Sequence, residues 1–318
     1  MENNDVFFIG DVALDEYYKA PYFPKIKDKI IVHSLSPEMG GMIANAACVF
    51  SSYGGKASFI AALNDGPISK KLCEELNRIA IDTQYISWDN SLPDSKTIII
   101  LAENEHTVFI PTMNLQRLEL SDNAYHALLK SKYVYSNICE LKPLRYKNED
   151  VEVILKKLKE NKVKIWCDID VGDILVDDYY FFKYIDTVFM NEAGKERLSK
   201  NSHNNFHEYL FAFGINNIIV TEAENGCTVI SNKGDTFKIN GINVKVVDVT
   251  GAGDTFCSSF LYSFIKTENL LLSAEFANFA AARSVTGKGA RYGSTNIKSV
   301  LNFIQELKYD SKKYEVLI

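Results

Sequence analysis

Short runs in which nearly every position is apolar recur along the chain, separated by stretches in which apolar residues return every three or four positions. The runs are DVFFIG (5–10), KASFIAAL (56–63), SKYVYS (131–136), VKIWCDID (163–170), IDTVFM (185–190) and NNIIVTE (216–222). Runs this short and this apolar predict strands buried on both faces. The intervening pattern, as in VEVILKKLKENK (151–162), predicts amphipathic helices. Alternation of the two predicts an α/β fold: a doubly wound, mainly parallel sheet flanked by helices, in a single domain over residues 1–318. No internal repeat, low-complexity segment or linker interrupts it.

Two segments break the rhythm, 12–38 and 83–113. Within the second, KTIIILAENEHTVFIPTM reads as two strands joined around ENEH, with no helix after them. A small separate sheet is expected there, placed as a lid over a site at the carboxyl ends of the main strands. A solvent-facing β-excursion is the plainer alternative.

Composition narrows the function. The chain has 318 residues, 47% hydrophobic and 24% charged, with a net charge of −6 and no basic block, so neither nucleic acid nor a membrane surface is an expected partner. No apolar stretch reaches the roughly 18 residues of a membrane span, and the opening MENNDVFFIG does not read as a secretory signal, so a cytoplasmic location is expected. The six cysteines contain no C-x-x-C pair and read as buried small hydrophobes. His203 and His207 could share a helix face as metal ligands, but without a third ligand nearby they read as solvated surface.

The candidate chemistry lies in DVTGAGDTFCSSF (248–260). INVKVVDV (242–249) reads as a strand, Thr250 to Gly253 as a small-residue turn, and the residues after Asp254 as a helix. Unpaired N–H groups and the dipole at a helix start can cradle a phosphate, and glycine keeps a β-carbon out of the way. Asp254 at its edge could take a proton from a substrate hydroxyl while those N–H groups stabilise a transferring phosphoryl. A tight turn with Asp254 as a plain cap is the alternative.

A second feature separates them. In EMGGMIANAACVFSSYGGKASFIAALNDG (38–66), two glycines open a helix on which Asn45 is a lone amide among apolar residues. Together with DVTGAGDTF this resembles the two signatures of the ribokinase family, also called the PfkB family of carbohydrate kinases, and the resemblance runs nearly end to end. It implies Asp254 as catalytic base and Gly251, Ala252 and Gly253 as anion hole. It also implies Asp15, Gly41 and Asn45 as sugar contacts, and Asn191, Thr221, Gly226 and Asn278 on the nucleotide side. Asp248, Thr250, Ser284, Gly289 and Ser294 fall where family members hold a monovalent cation, K⁺, mainly through backbone oxygens.

The match has gaps. Where the family carries Asn-x-x-Glu, this chain has Asn191 but Gly194, with Glu192 and Glu196 nearby. The usual T-x-G reads Thr221-Glu222-Ala223. DIDVGD (168–173) stands where keto-sugar kinases show D-P-N-x-R, and His106 replaces a lid arginine. Without these cations an anionic sugar is disfavoured. The implied reaction is ATP-dependent phosphorylation of a small neutral sugar with Mg²⁺, by a chain that could dimerise through its lid. A nucleoside or pseudouridine kinase is the alternative, since DEYYKAPYF could stack on a base. A non-catalytic sugar-binding or regulatory homologue is the second, motivated by Gly194. A Rossmann dehydrogenase lacks its glycine fingerprint after the first strand.

Overall fold

The computed structural model describes residues 6–103, 105–169, 176–201 and 205–318. Its centre is an eight-stranded sheet in the order Thr236–Asn240, Gly226–Ser231, Asn217–Thr221, Thr187–Asn191, Lys164–Asp168, Tyr133–Ser136, Val6–Ile9, Ala57–Ile60. The six strands from Asn217–Thr221 to Ala57–Ile60 run parallel, and the two beyond them turn antiparallel at one edge.

Successive side chains of a strand point to opposite faces, so each strand feeds two cores. Phe8, Tyr135, Trp166, Phe189 and Ile219 pack under the helices Met42–Ser52, Ala252–Thr267 and Leu270–Ser284. Their neighbours Phe7, Val134, Ile165, Val188 and Ile218 pack on the other face against Asp122–Leu128, Val151–Glu160 and Phe206–Ala212. Burial on both faces explains why these strands read as unbroken apolar runs. All six cysteines are free thiols; burial pushes Cys48 and Cys73 up to about 11, which leaves them inert at neutral pH.

A separate sheet is built from Ala13–Lys19, His33–Ser34, Glu38–Gly40, Lys96–Ala102 and Glu105–Phe109. Its strand Ala13–Lys19 lies between Lys96–Ala102, parallel, and Glu38–Gly40, antiparallel. Ser87–Trp88, within the segment 83–113, pairs instead with Ala62–Leu63.

One expected strand is absent. Residues 242–249 have no ladder partner among the described residues, and Val246, Val247 and Val249 are exposed. Alternation there signals an extended chain, but among the described residues no strand lies beside it to complete a sheet.

Candidate active site

Gly251 precedes the helix Ala252–Thr267 in a left-handed conformation, φ +75°, and a β-carbon on it would lie 2.0 Å from the carbonyl oxygen of Ala290. Only glycine fits both demands. Gly253 is different: a β-carbon there would meet nothing within 4 Å. The helix start therefore carries no side-chain cap and faces open space, which is the geometry an anion needs. Asp254 is partly exposed in the first turn, and its Oδ2 accepts a hydrogen bond of 2.9 Å from Asn45 Nδ2. The two motifs, 209 positions apart, thus meet.

Asn45 comes from the helix Met42–Ser52, whose first N–H groups are held by a residue outside both motifs. Asp11 accepts from the N–H of Met42 and of Ile43, each at 3.0 Å. Gly41 crosses directly over that chain: a β-carbon on it would lie 2.8 Å from Asp11 O and Val12 Cα, at a φ of +96°. Asp15 sits on the small sheet, buried, against Gly40, where a β-carbon would stand 2.1 Å from its Oδ2. Burial pushes Asp15 up to about 6, helped by the charges of Asp11 and Glu38 and opposed by a hydrogen bond from Thr97 and by Arg291. Burial likewise raises Asp11 and, with Asp11's charge, pushes Glu140 up to about 8. A carboxylate accepts and an amide also donates, so Asp15 and Asn45 together suit adjacent hydroxyls.

Three residues here escape sequence inspection: Asp11, Glu140 and Arg291. Arg291 donates from Nε to Asn45 Oδ1 at 3.1 Å and from Nη2 to Gly40 O at 3.2 Å. Asp11 follows a strand, the one local signal available; Glu140 and Arg291 have none.

The nucleotide candidates lie along the sheet. Asn191 and Thr221 end adjacent parallel strands as register partners. Asn191 Oδ1 accepts from the N–H of Gly194 at 2.9 Å, capping the helix Glu192–Asn201. Gly194 is buried with its missing β-carbon directed at Met190 Cβ, 3.2 Å away, while Glu192 and Glu196 are exposed. Ala223 takes a left-handed φ of +47°, a conformation glycine adopts without strain. Gly226 is required by the strand beside it, since a β-carbon would lie 2.0 Å from Ile239 O. Asn278 is buried and donates to Asn240 O at 2.8 Å.

Of the cation candidates, Asp248 accepts from the N–H and Oγ1 of Thr250 at 3.0 and 2.7 Å and from the N–H of Gly289 at 2.9 Å. Burial works against its charge, but these bonds hold its carboxyl below the usual range. Ser284 stands just before Val285, whose carbonyl accepts from Val247 N at 2.8 Å. The hydroxyl of Ser294 is turned to the first helix, 2.6 Å from Ser52 Oγ and 3.1 Å from Cys48 O. Among the described residues no group of three or more His, Cys, Asp or Glu is placed to hold a metal. His203 and residues 170–173 of DIDVGD lie outside the described residues, and no described helix is long and apolar enough to cross a membrane.

Known proteins share this architecture. The chain is 24% identical to a ribokinase of Haemophilus influenzae over 307 residues, covering 93% of this chain and 97% of that one. A crystal structure of ribokinase from Thermotoga maritima superposes with a TM-score of 0.81 at 22% identity, over 94% of this chain and 99% of that one. An Arabidopsis thaliana ribokinase complexed with ribose and ATP gives 0.80 at 20% identity, over 95% and 99%. The model of the pfkB carbohydrate kinase family matches residues 3–297, and the chain belongs to that family.

Proposed function

We propose that this sugar kinase transfers the γ-phosphoryl of ATP to a hydroxyl of a small neutral sugar, with Asp254 as general base. The observation that carries the proposal is the 2.9 Å hydrogen bond from Asn45 to Asp254, which joins the acceptor motif to the uncapped helix start. Asp15, Gly41 and Asn45 frame the acceptor. Asp254 takes the hydroxyl proton while the N–H groups of the Gly251-Ala252-Gly253 turn stabilise charge on the phosphoryl. The open space above Gly253 fits a phosphate group. Asn191, Thr221, Gly226 and Asn278 would line the path of the nucleotide. Mg²⁺, when bound, would offset phosphate charge; it commonly keeps waters and phosphate oxygens as ligands. With the Asp248 carboxylate already bonded to Thr250 and Gly289, a K⁺ ion there would rest on backbone oxygens of this loop and its neighbours Ser284 and Ser294.

The acids around the acceptor outnumber Arg291, which supports an uncharged sugar over an anionic one. A second reading, a nucleoside acceptor, is favoured by Tyr17, whose hydroxyl is pushed up by burial and by Asp15, Glu38 and Asp248 and so lies beside the site. The small sheet acts as the lid, and the exposure of Val108 and Phe109 on its outer strand and of Ile110 just after it supports pairing with a second copy. Free thiols and the demand for ATP support a cytoplasmic enzyme. ADP release from Mg-ATP across a panel of sugars and nucleosides tests the assignment. Turnover of a neutral pentose or hexose is expected; turnover of nucleosides alone replaces the acceptor, and binding without turnover removes the catalytic role.

A further inference from the structure

The loop after the helix Leu270–Ser284 is pinned to both halves of the site. The carbonyl of Ala290 closes on Gly251, and the N–H of Gly289 donates to Asp248 at 2.9 Å. Gly293 presses on the first turn of the phosphate-side helix, where a β-carbon would stand 2.0 Å from Thr255 Oγ1. Ser294 is tied to Cys48 O at 3.1 Å on the acceptor-side helix. A side chain within a segment held so closely has a fixed root, and Arg291 is that side chain.

Its guanidinium begins a chain of contacts. Nε donates to Asn45 Oδ1 at 3.1 Å, Nη2 donates to Gly40 O at 3.2 Å, and Asn45 Nδ2 donates to Asp254 Oδ2 at 2.9 Å. A guanidinium only donates and an ionised carboxylate only accepts, so an amide between them has one permitted orientation: oxygen toward Arg291, NH₂ toward Asp254. Without the guanidinium the Asn45 oxygen loses its partner, and the amide is free to turn that oxygen toward the carboxylate, where two acceptors repel.

We propose that Arg291 is a positioning residue for phosphoryl transfer, which locks the Asn45 amide and through it the carboxylate of Asp254. The proposal rests on the reading of Asp254 as general base. Because Nη2 also holds the backbone of Gly40, the base is oriented when the strand Glu38–Gly40 of the small sheet is docked. This links the position of that sheet to the reacting atoms.

A double-mutant cycle tests it, using Arg291→Met, Asn45→Ala and the pair, with steady-state kinetics on the best acceptor. Arg291→Met is expected to lower kcat about tenfold to a hundredfold, the range for a lost hydrogen bond to a charged group, with KM for acceptor and ATP within about threefold. In the Asn45→Ala background the same change should cost less than about threefold, because its route to Asp254 is gone. Arg291→Lys keeps the charge but not the planar fork; it should fall nearly as far, and it carries the cycle if Arg291→Met does not fold. A loss confined to acceptor KM, or one undiminished by Asn45→Ala, overturns the positioning role. If the wild type releases no ADP with any sugar or nucleoside, the kinase reading fails by itself. The melting temperatures of the four proteins then decide the Arg291–Asn45 link: non-additive shifts support it and additive shifts overturn it.

Discussion

The two halves of the candidate site are made of different materials. The proposed phosphate side is backbone: a left-handed glycine, a helix start without a side-chain cap and open space where a side chain would stand. The proposed acceptor side is side chain: Arg291 bonds Asn45, the charges of Asp11, Glu38 and Arg291 act on Asp15, and burial lifts Asp11, Asp15 and Glu140 above the ordinary carboxylate range. A backbone site depends on what is absent, so a methyl group can end it. A side-chain site depends on mutual pairing, so it responds to charge and pH.

The largest effect should come where the two sides join. Asp254→Asn keeps the shape and removes the proposed proton acceptor, so turnover should fall about a hundredfold to ten-thousandfold while ATP binding by titration is unchanged. Retention of more than about a tenth of the rate, with chemistry limiting, removes Asp254 from the mechanism.

On the phosphate side, two glycines separate fold from function. Gly253→Ala places its methyl in open space, so melting should hold while kcat drops by about a hundredfold, the scale of one lost oxyanion donor. Gly251→Ala meets Ala290 O and a left-handed φ, so it should melt early. Equal melting losses in both variants would erase the distinction.

On the acceptor side, Asp15→Ala should reduce kcat/KM for the sugar by about tenfold or more, since buried partners lose a hydrogen bond worth about 1–3 kcal/mol. ATP affinity measured without sugar should barely move. The same carboxyl sets a pH window. Its value rises on folding from 3.8 to about 6, so the stability it contributes is fully present below about 4 and lost as pH climbs through about 6. Sugar binding, which by the proposed role of Asp15 uses the ionised form as acceptor, should strengthen over that interval. Asp15→Asn should flatten both profiles, and an unchanged melting-versus-pH curve would remove Asp15 as their source.

The smallest effect lies away from the join. Ala223→Gly relieves a left-handed alanine and should stabilise the protein by about 1 kcal/mol without altering kcat, read from denaturant midpoints.

Much of this layout was legible beforehand. DVFFIG, SKYVYS and NNIIVTE became Val6–Ile9, Tyr133–Ser136 and Asn217–Thr221 because burial on both faces leaves a pattern no other element shares. The turn at Gly251 was legible because its backbone demand is local. INVKVVDV misled for the complementary reason: its alternation describes an extended chain, and a strand also needs a neighbour. At Gly226 and Gly41 the structure adds a steric demand, from Ile239 and from Asp11 and Val12, that no local pattern announces.

The sequence by itself determined the parallel core, the glycine turn with Asp254 behind it and the Asn45 helix, since each follows from the period or the residue types of one short segment. Only the tertiary structure decided that Asn45 bonds Asp254 across 209 positions, that Arg291 closes on both Asn45 and Gly40, and that Asp15 sits on the small sheet beside Thr97. Those pairings arise from chain crossings and buried charge. Neither has a period along the chain, and the energy of each depends on what the fold brings within about 3 Å.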